Sequence, residues 1–209
     1  MELNRISADL KLVFPIRWTS VSKNGSDDAV LQPLIWAYHT PLGREVFEAN
    51  YRAIAAANMT LFSKGIGFAA ESGPIIGTLA LRDAARADAI ENGVEIAGDP
   101  ATPVLLEIKR LTMILAPSAQ GYDTVPVDIA LSRNVIDAED WKEAESSIVF
   151  FTCGSWMARR EKRGMKNSAL ASVLKGSITS LAPTEFADSL VQSTKTETSA
   201  PPEPSSVPS

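Results

Sequence analysis

His39 is the single histidine of the chain and Cys153 the single cysteine, and these two residues bound most of the chemistry it could perform. A nucleophilic triad would require His39 to meet a serine or Cys153 and an orienting carboxylate. No G-x-S-x-G turn occurs to present a serine. His39 stands just before Thr40-Pro41, a helix-start signal, where the plainer role is a hydrogen bond within the fold. Cys153 lies in the apolar run "SSIVFFTCGSWMA", which points to a core thiol rather than a nucleophile. Zinc takes three or four ligands at recognisable spacings, and one Cys with one His supplies none of them.

The remaining candidates each have a simpler structural reading. "GIGFAA", 65–70, superficially matches G-x-G-x-x-A, but a dinucleotide fingerprint follows a strand, and here a helical pattern precedes it. A helix stop and a loop are expected instead. Glu139, Asp140, Glu143 and Glu145 could pair as general acids, yet their place in the first turns of a helix favours capping and dipole stabilisation. "RREKRGMK", 159–166, is the one basic cluster; it lacks interleaved aromatics, so a solvated helix C-terminus is expected there. No phosphate-binding G-x-x-x-x-G-K-[ST] is present. The expectation is a protein with no catalytic, cofactor-binding or metal-ligating residues.

The totals bear on partners. A net charge of −5 and a pI near 5.0 leave no overall electrostatic footprint for nucleic acid or an anionic membrane. The N-terminal stretch lacks a basic region followed by an apolar run, so no secretory leader is expected. No apolar run approaches the ~18 residues of a membrane-spanning helix. One cysteine excludes an internal disulfide and suits a reducing cytoplasm. Neither a nucleic acid, a membrane nor a small-molecule substrate is expected as a partner.

The elements that must position these residues read as α+β, mainly α. "LKLVFPIRW", 10–18, and "AVLQPLIWAYH", 29–39, flank an Asn24-Gly25 turn and predict a hairpin over 8–40. Pro15 and Pro33 predict a small bulged ribbon outside the middle of any large sheet, one that must pack on helices or join a partner's sheet. A helical core is expected over 41–165. Its first helix is capped by Thr40, starts at Pro41 and carries Val46, Phe47, Tyr51, Ile54, Ala55, Met59 and Phe62 on its apolar positions. A second runs from about Pro74 to Glu91 and stops at Asn92-Gly93. A third runs from Thr102-Pro103 to near Pro117, and a short one follows within "VPVDIALSRNVID". A long helix then starts at an Asp137 cap, with Ile136 stapling onto Trp141, and reaches about Arg163. A C-terminal helical segment fills 166–190, so that 1–190 form one domain. Residues 191–209, rich in Ser, Thr, Pro and Glu, are expected to be a disordered tail.

"TEFADSL" sets Phe186 and Leu190 on one face at i, i+4, with Thr184 as a cap. So short a helix is unstable alone and must dock. Phe186 and Leu190 are the candidate partner contacts; docking on the chain's own domain is the plainer reading.

Several stretches together resemble the tail assembly chaperones of long-tailed bacteriophages: "YHTPLGREVFEANYRAIA", "ESGPIIGTLALRDAARADA", "LEIKRLTMILAPSAQGYDTVPVDIALSRNVIDAEDWKEAESSIVFFTCGSWM" and "TSLAPTEFADSL". The likeness is one of layout across most of 8–190 and includes no catalytic signature. It implies a non-enzymatic holdase that coats the tape measure protein while the tail tube assembles. Further partners it implies are the tail tube protein and other copies of the chain. The expected location is the host cytoplasm, with the protein absent from the mature virion. Many such proteins also have a longer frameshifted product. The competing expectation is a structural virion subunit of the tail or the head–tail connector.

Overall fold

The computed structural model describes residues 10–22 and 29–196. β1 (Lys11–Ser22) and β2 (Ala29–His39) pair antiparallel in the expected hairpin register, from Leu12↔His39 to Ser22↔Ala29. The register shifts on either side of Arg17, next to Pro15, as a missing ladder donor requires. The expectation of a ribbon apart from any larger sheet is overturned. β3 (Thr112–Ser118) adds to β2, β4 (Gly121–Pro126) adds to β3, and β5 (Ser177–Thr179) adds to β1. The order β4-β3-β2-β1-β5 puts the proline-bearing strands in the middle. They are tolerated because β3 pairs β2 only over Trp36–His39 and β5 pairs β1 only over Lys11–Val13, clear of both prolines.

β3 also corrects the third helix. α4 (Thr102–Arg110) stops at Leu111, and "TMILAPS" is extended. The Thr112 hydroxyl donates to the Ile108 carbonyl, and the Thr40 N–H takes the Leu111 carbonyl. The apolar run over 104–116 satisfies either period, and the open edge of β2 decides for the strand.

The first helix is broken and begins later than expected. Thr40 and Pro41 lie outside it; α1 (Arg44–Ala49) starts after Gly43, and Asn50 separates it from α2 (Tyr51–Phe62). The break turns α2 so that Ala53, Ile54, Ala57 and Leu61 face the core, while Tyr51 and Met59 are exposed. Gly65, at φ 93°, stops the chain as expected, but no loop follows. α3 (Ile66–Glu91) begins at once and contains Gly67 and Pro74. It ends at Asn92-Gly93 as read, with Gly93 at φ 65° and the Val94 N–H returning to the Ala89 carbonyl.

α5 (Val127–Ser132) closes in the same way with Asn134 at φ 54°. α6 (Ala138–Trp156) has the Asp137 cap, completed by Asp140 reaching back to the Asp137 N–H. Ile136 and Trp141 are both buried, consistent with the staple. α6 ends at Trp156, seven residues before the expected boundary. The chain turns so that α7 (Arg160–Val173) can return Leu170, Ala171 and Leu174 to the core. Gly154 permits that return, since a Cβ there would lie 2.7 Å from Leu170. The basic cluster therefore opens a helix instead of closing one. α8 (Pro183–Thr196) extends the expected hook by several residues into the expected tail; the rest of that tail, residues 197–209, lies outside the described residues.

Two faces of the sheet bury different things. Leu12, Phe14, Ile35, Ala37 and Ile114 meet the helical layer. Val13, Tyr38 and Leu115 point the other way, under α8. That alternation is the period-two pleat of half-buried strands. Within the helical layer α3 and α6 approach closely: a Cβ on Gly77 would lie 2.2 Å from the Ser146 carbonyl oxygen, and one on Gly73 2.5 Å from the Phe150 ring. Ser146 accepts from the Thr78 N–H and donates to the Ile75 carbonyl, which ties the pair together beside Pro74.

Candidate functional site

α8 is where the structure places both sequence-derived candidates. Phe186 and Leu190 lie against a second apolar cluster made of Val13, Tyr38, Leu115 and Ala187, with Trp36, Met113 and Tyr122 around it. Phe186 meets Trp36 edge-on at 6.3 Å between ring centroids. The Glu185 carboxylate accepts from the Ala182 N–H at 2.8 Å, and the Phe186 N–H donates to the Ala182 carbonyl, so capping falls to Ala182 and Glu185. Thr184 sits inside the helix and is not its cap. The Tyr38 hydroxyl donates to the Leu181 carbonyl at 2.7 Å. Burial, with the Glu185 charge nearby, holds the Tyr38 phenol above its ordinary range. Phe186 and Leu190 thus dock on the chain's own sheet.

The aromatic platform beneath α8 was not singled out from the sequence. Its signal was present in the alternation of Trp36 and Tyr38 with Ile35 and Ala37, but a two-stranded ribbon gave that second face nothing to bury against.

The chemistry-bearing residues are dispersed. His39 is fully buried, and its Nδ1 lies 2.9 Å from the Thr112 hydroxyl. That hydroxyl already donates to Ile108, so Nδ1 carries the proton, and Nε2 is buried with no partner among the described residues. Burial lowers the His39 pKa to about 3. Cys153 is buried in α6, and burial raises its thiol to about 12. Asp140 pairs with Arg17, and Asp137 stands 3.5 Å from the same guanidinium. Glu139 contributes its N–H to the Asp137 cap. Burial raises the Glu145 carboxyl, with Arg82 and the Trp141 hydrogen bond opposing. Among the described residues no group of three or more His, Cys, Asp or Glu converges as a metal site would. No helix among them is long and apolar enough to cross a membrane.

Clefts indent the surface of the described residues. One of about 430 Å³ lies between α1–α2 and the end of α3, where Arg52 reaches Asp88 and Asn92. A second, of about 280 Å³, lies beside Trp18, Asp140 and Lys175. A third, of about 330 Å³, is lined by Lys11, Arg44, Arg163 and Asn167. Comparison with protein-family models, with curated proteins and with solved structures finds no match.

Proposed function

We propose that this chain is a non-enzymatic tail assembly chaperone that binds the tape measure protein of a long-tailed bacteriophage and keeps it soluble in the host cytoplasm. The observation that carries the reading is apolar surface left open on the helical layer. Ile75 and Leu79 stand one turn apart on the outer side of α3, 77% and 59% exposed, and Met59 of α2 is 72% exposed. Aliphatic pairs at i, i+4 are the anchors by which one helix takes up another, and a tape measure protein is long and helical. The acidic balance of the chain favours solubility while such surface is open. On this reading Phe186 and Leu190 hold α8 to the sheet, and the client meets the opposite layer.

Co-expression tests it. The tape measure protein is expected in the soluble fraction when this chain is present and in the pellet when it is absent. The variant Ile75→Asp/Leu79→Asp is expected to lose that effect while keeping its own fold by circular dichroism. A client that stays equally soluble without the chain overturns the proposal. Mass spectrometry of purified particles separates the competing class: stoichiometric copies there would make this a structural virion subunit.

A further inference from the structure

The third cleft opens where the start of β1, the β2–α1 connection, the end of α6 and α7 come together. Lys11, Arg44 and Arg163 line it, and among the described residues no carboxylate does. Such a lining is unexpected in a chain of net charge −5.

Two of its polar groups lack a partner among the described residues. The Arg163 Nε–H is buried and makes no hydrogen bond. Asn167 is 2% exposed, and its Oδ1 is likewise without one. Buried polar groups are ordinarily satisfied, and both orphans belong to residues that line this one cleft. The Arg163 guanidinium lies 5.2 Å from the Trp156 ring centroid, and Trp156 is stacked on Phe47 at 4.2 Å. That column fixes the plane of the guanidinium and leaves its in-plane Nε–H unused. Lys11 donates to the Ser180 carbonyl at 3.3 Å, and Arg44 holds Glu48 at 2.7 Å on the solvent side. Arg163 has no such carboxylate among the described residues.

Arg163 also sits near the start of α7, where the helix dipole disfavours a cation unless an anion is close. The Asn167 amide can turn over to present its NH2 in place of Oδ1, which has no hydrogen bond to forfeit among the described residues.

We propose that this cleft binds a phosphate or carboxylate anion, with Arg163 and Asn167 donating to it and Lys11 and Arg44 neutralising its charge at the rim. The planar fork of an arginine matches either anion. The inference is independent of the chaperone reading and stands or falls without it.

Thermal unfolding of the full chain tests it, in inorganic phosphate, in succinate, and in sodium chloride at matched ionic strength. A ligand that binds the folded state alone raises the midpoint as its concentration passes the dissociation constant. The midpoint is expected to rise saturably in phosphate or succinate above the chloride control. The rise should vanish in Arg163→Gln and Asn167→Ala and shrink in Arg44→Gln, whose exposed position does not endanger folding. A rise in phosphate alone identifies a phosphate ligand, and one in succinate alone a carboxylate. In the wild-type chain the Arg163 Nε–H proton resonance should move saturably with the same anion, which keeps the test decisive even if Arg163→Gln fails to fold. No rise beyond chloride, a rise that persists undiminished in Arg163→Gln, or an unmoved Nε–H resonance overturns the proposal.

Discussion

A neutral imidazole sealed in the core makes His39 a source of acid sensitivity. Its folded pKa, about 3, lies below the ordinary 6.5, so below pH 6.5 the unfolded chain gains a proton that the folded chain refuses. Stability is therefore complete above pH 6.5 and falls as pH drops from there towards 3. Between pH 7 and pH 5 the unfolding free energy should decline by about 2 kcal/mol from this residue, at ~1.4 kcal/mol per unit below 6.5. Denaturant titration of wild type and His39→Gln at both pH values checks it: the variant should lose most of that slope, and an unchanged slope places the sensitivity elsewhere. At this scale the sequence is informative where a residue acts locally. The sequence places His39 as a hydrogen-bonding residue beside a helix start at Thr40-Pro41; it does hydrogen-bond, but to Thr112, 73 positions away, and α1 starts later, at Arg44. Asp137 was legible as a cap because its partners lie within three residues. Arg163 and Asn167 were not, because the cleft they line also takes residues from β1, α1 and α6.

Helix α3 shows what an element owes to its neighbour. Pro74 argued for a start there, yet the helix runs through it, and the Ser146 hydroxyl bonds to the backbone just beyond. Gly73 and Gly77 allow α6 to come that near. Gly77→Ala should lower stability by about 3 kcal/mol or more, since backbone atoms of α6 have nowhere to move. Gly164→Ala on α7, with nothing within 4 Å of the new methyl, should instead raise it by about 0.5–1 kcal/mol. Chemical denaturation of the two variants side by side gives opposite signs if the packing is as described, and equal signs refute it. The boundary of α4 with β3 was the element hardest to read. Val104, Leu105, Ile108, Ile114 and Leu115 are all buried, and the run fits a helix or a strand until β2 offers an edge. The α6–α7 turn was hidden for a related reason: apolar residues continue across it on a changed face.

For the molecule as a whole, one terminal helix decides what the sheet shows to solvent. Removing α8 by ending the chain at Ala182 would bare Trp36, Tyr38, Met113, Leu115 and Tyr122 together. Contiguous apolar surface of that kind drives association. The truncated chain should elute as larger species with rising concentration in size-exclusion chromatography with light scattering, while the full chain is the reference. Phe186→Ser/Leu190→Ser should lower stability by about 2–4 kcal/mol. A loss of client binding with stability intact would instead mark the hook as a partner contact. The mixed α+β class and the N-terminal hairpin were legible because their signals are local, whereas β3 and β5 depend on pairings with β2 and β1 across the chain. The pairing of Leu12 with Ile178 has a consequence in time. On the ribosome the β1–β2 hairpin emerges first, but β1 must wait for almost the whole chain before β5 pairs its outer edge over Lys11–Val13. Contacts so distant in sequence close slowly. Until β5 arrives, a nascent chain displays an open strand edge, so many copies translated on one message have an opportunity to pair wrongly with each other.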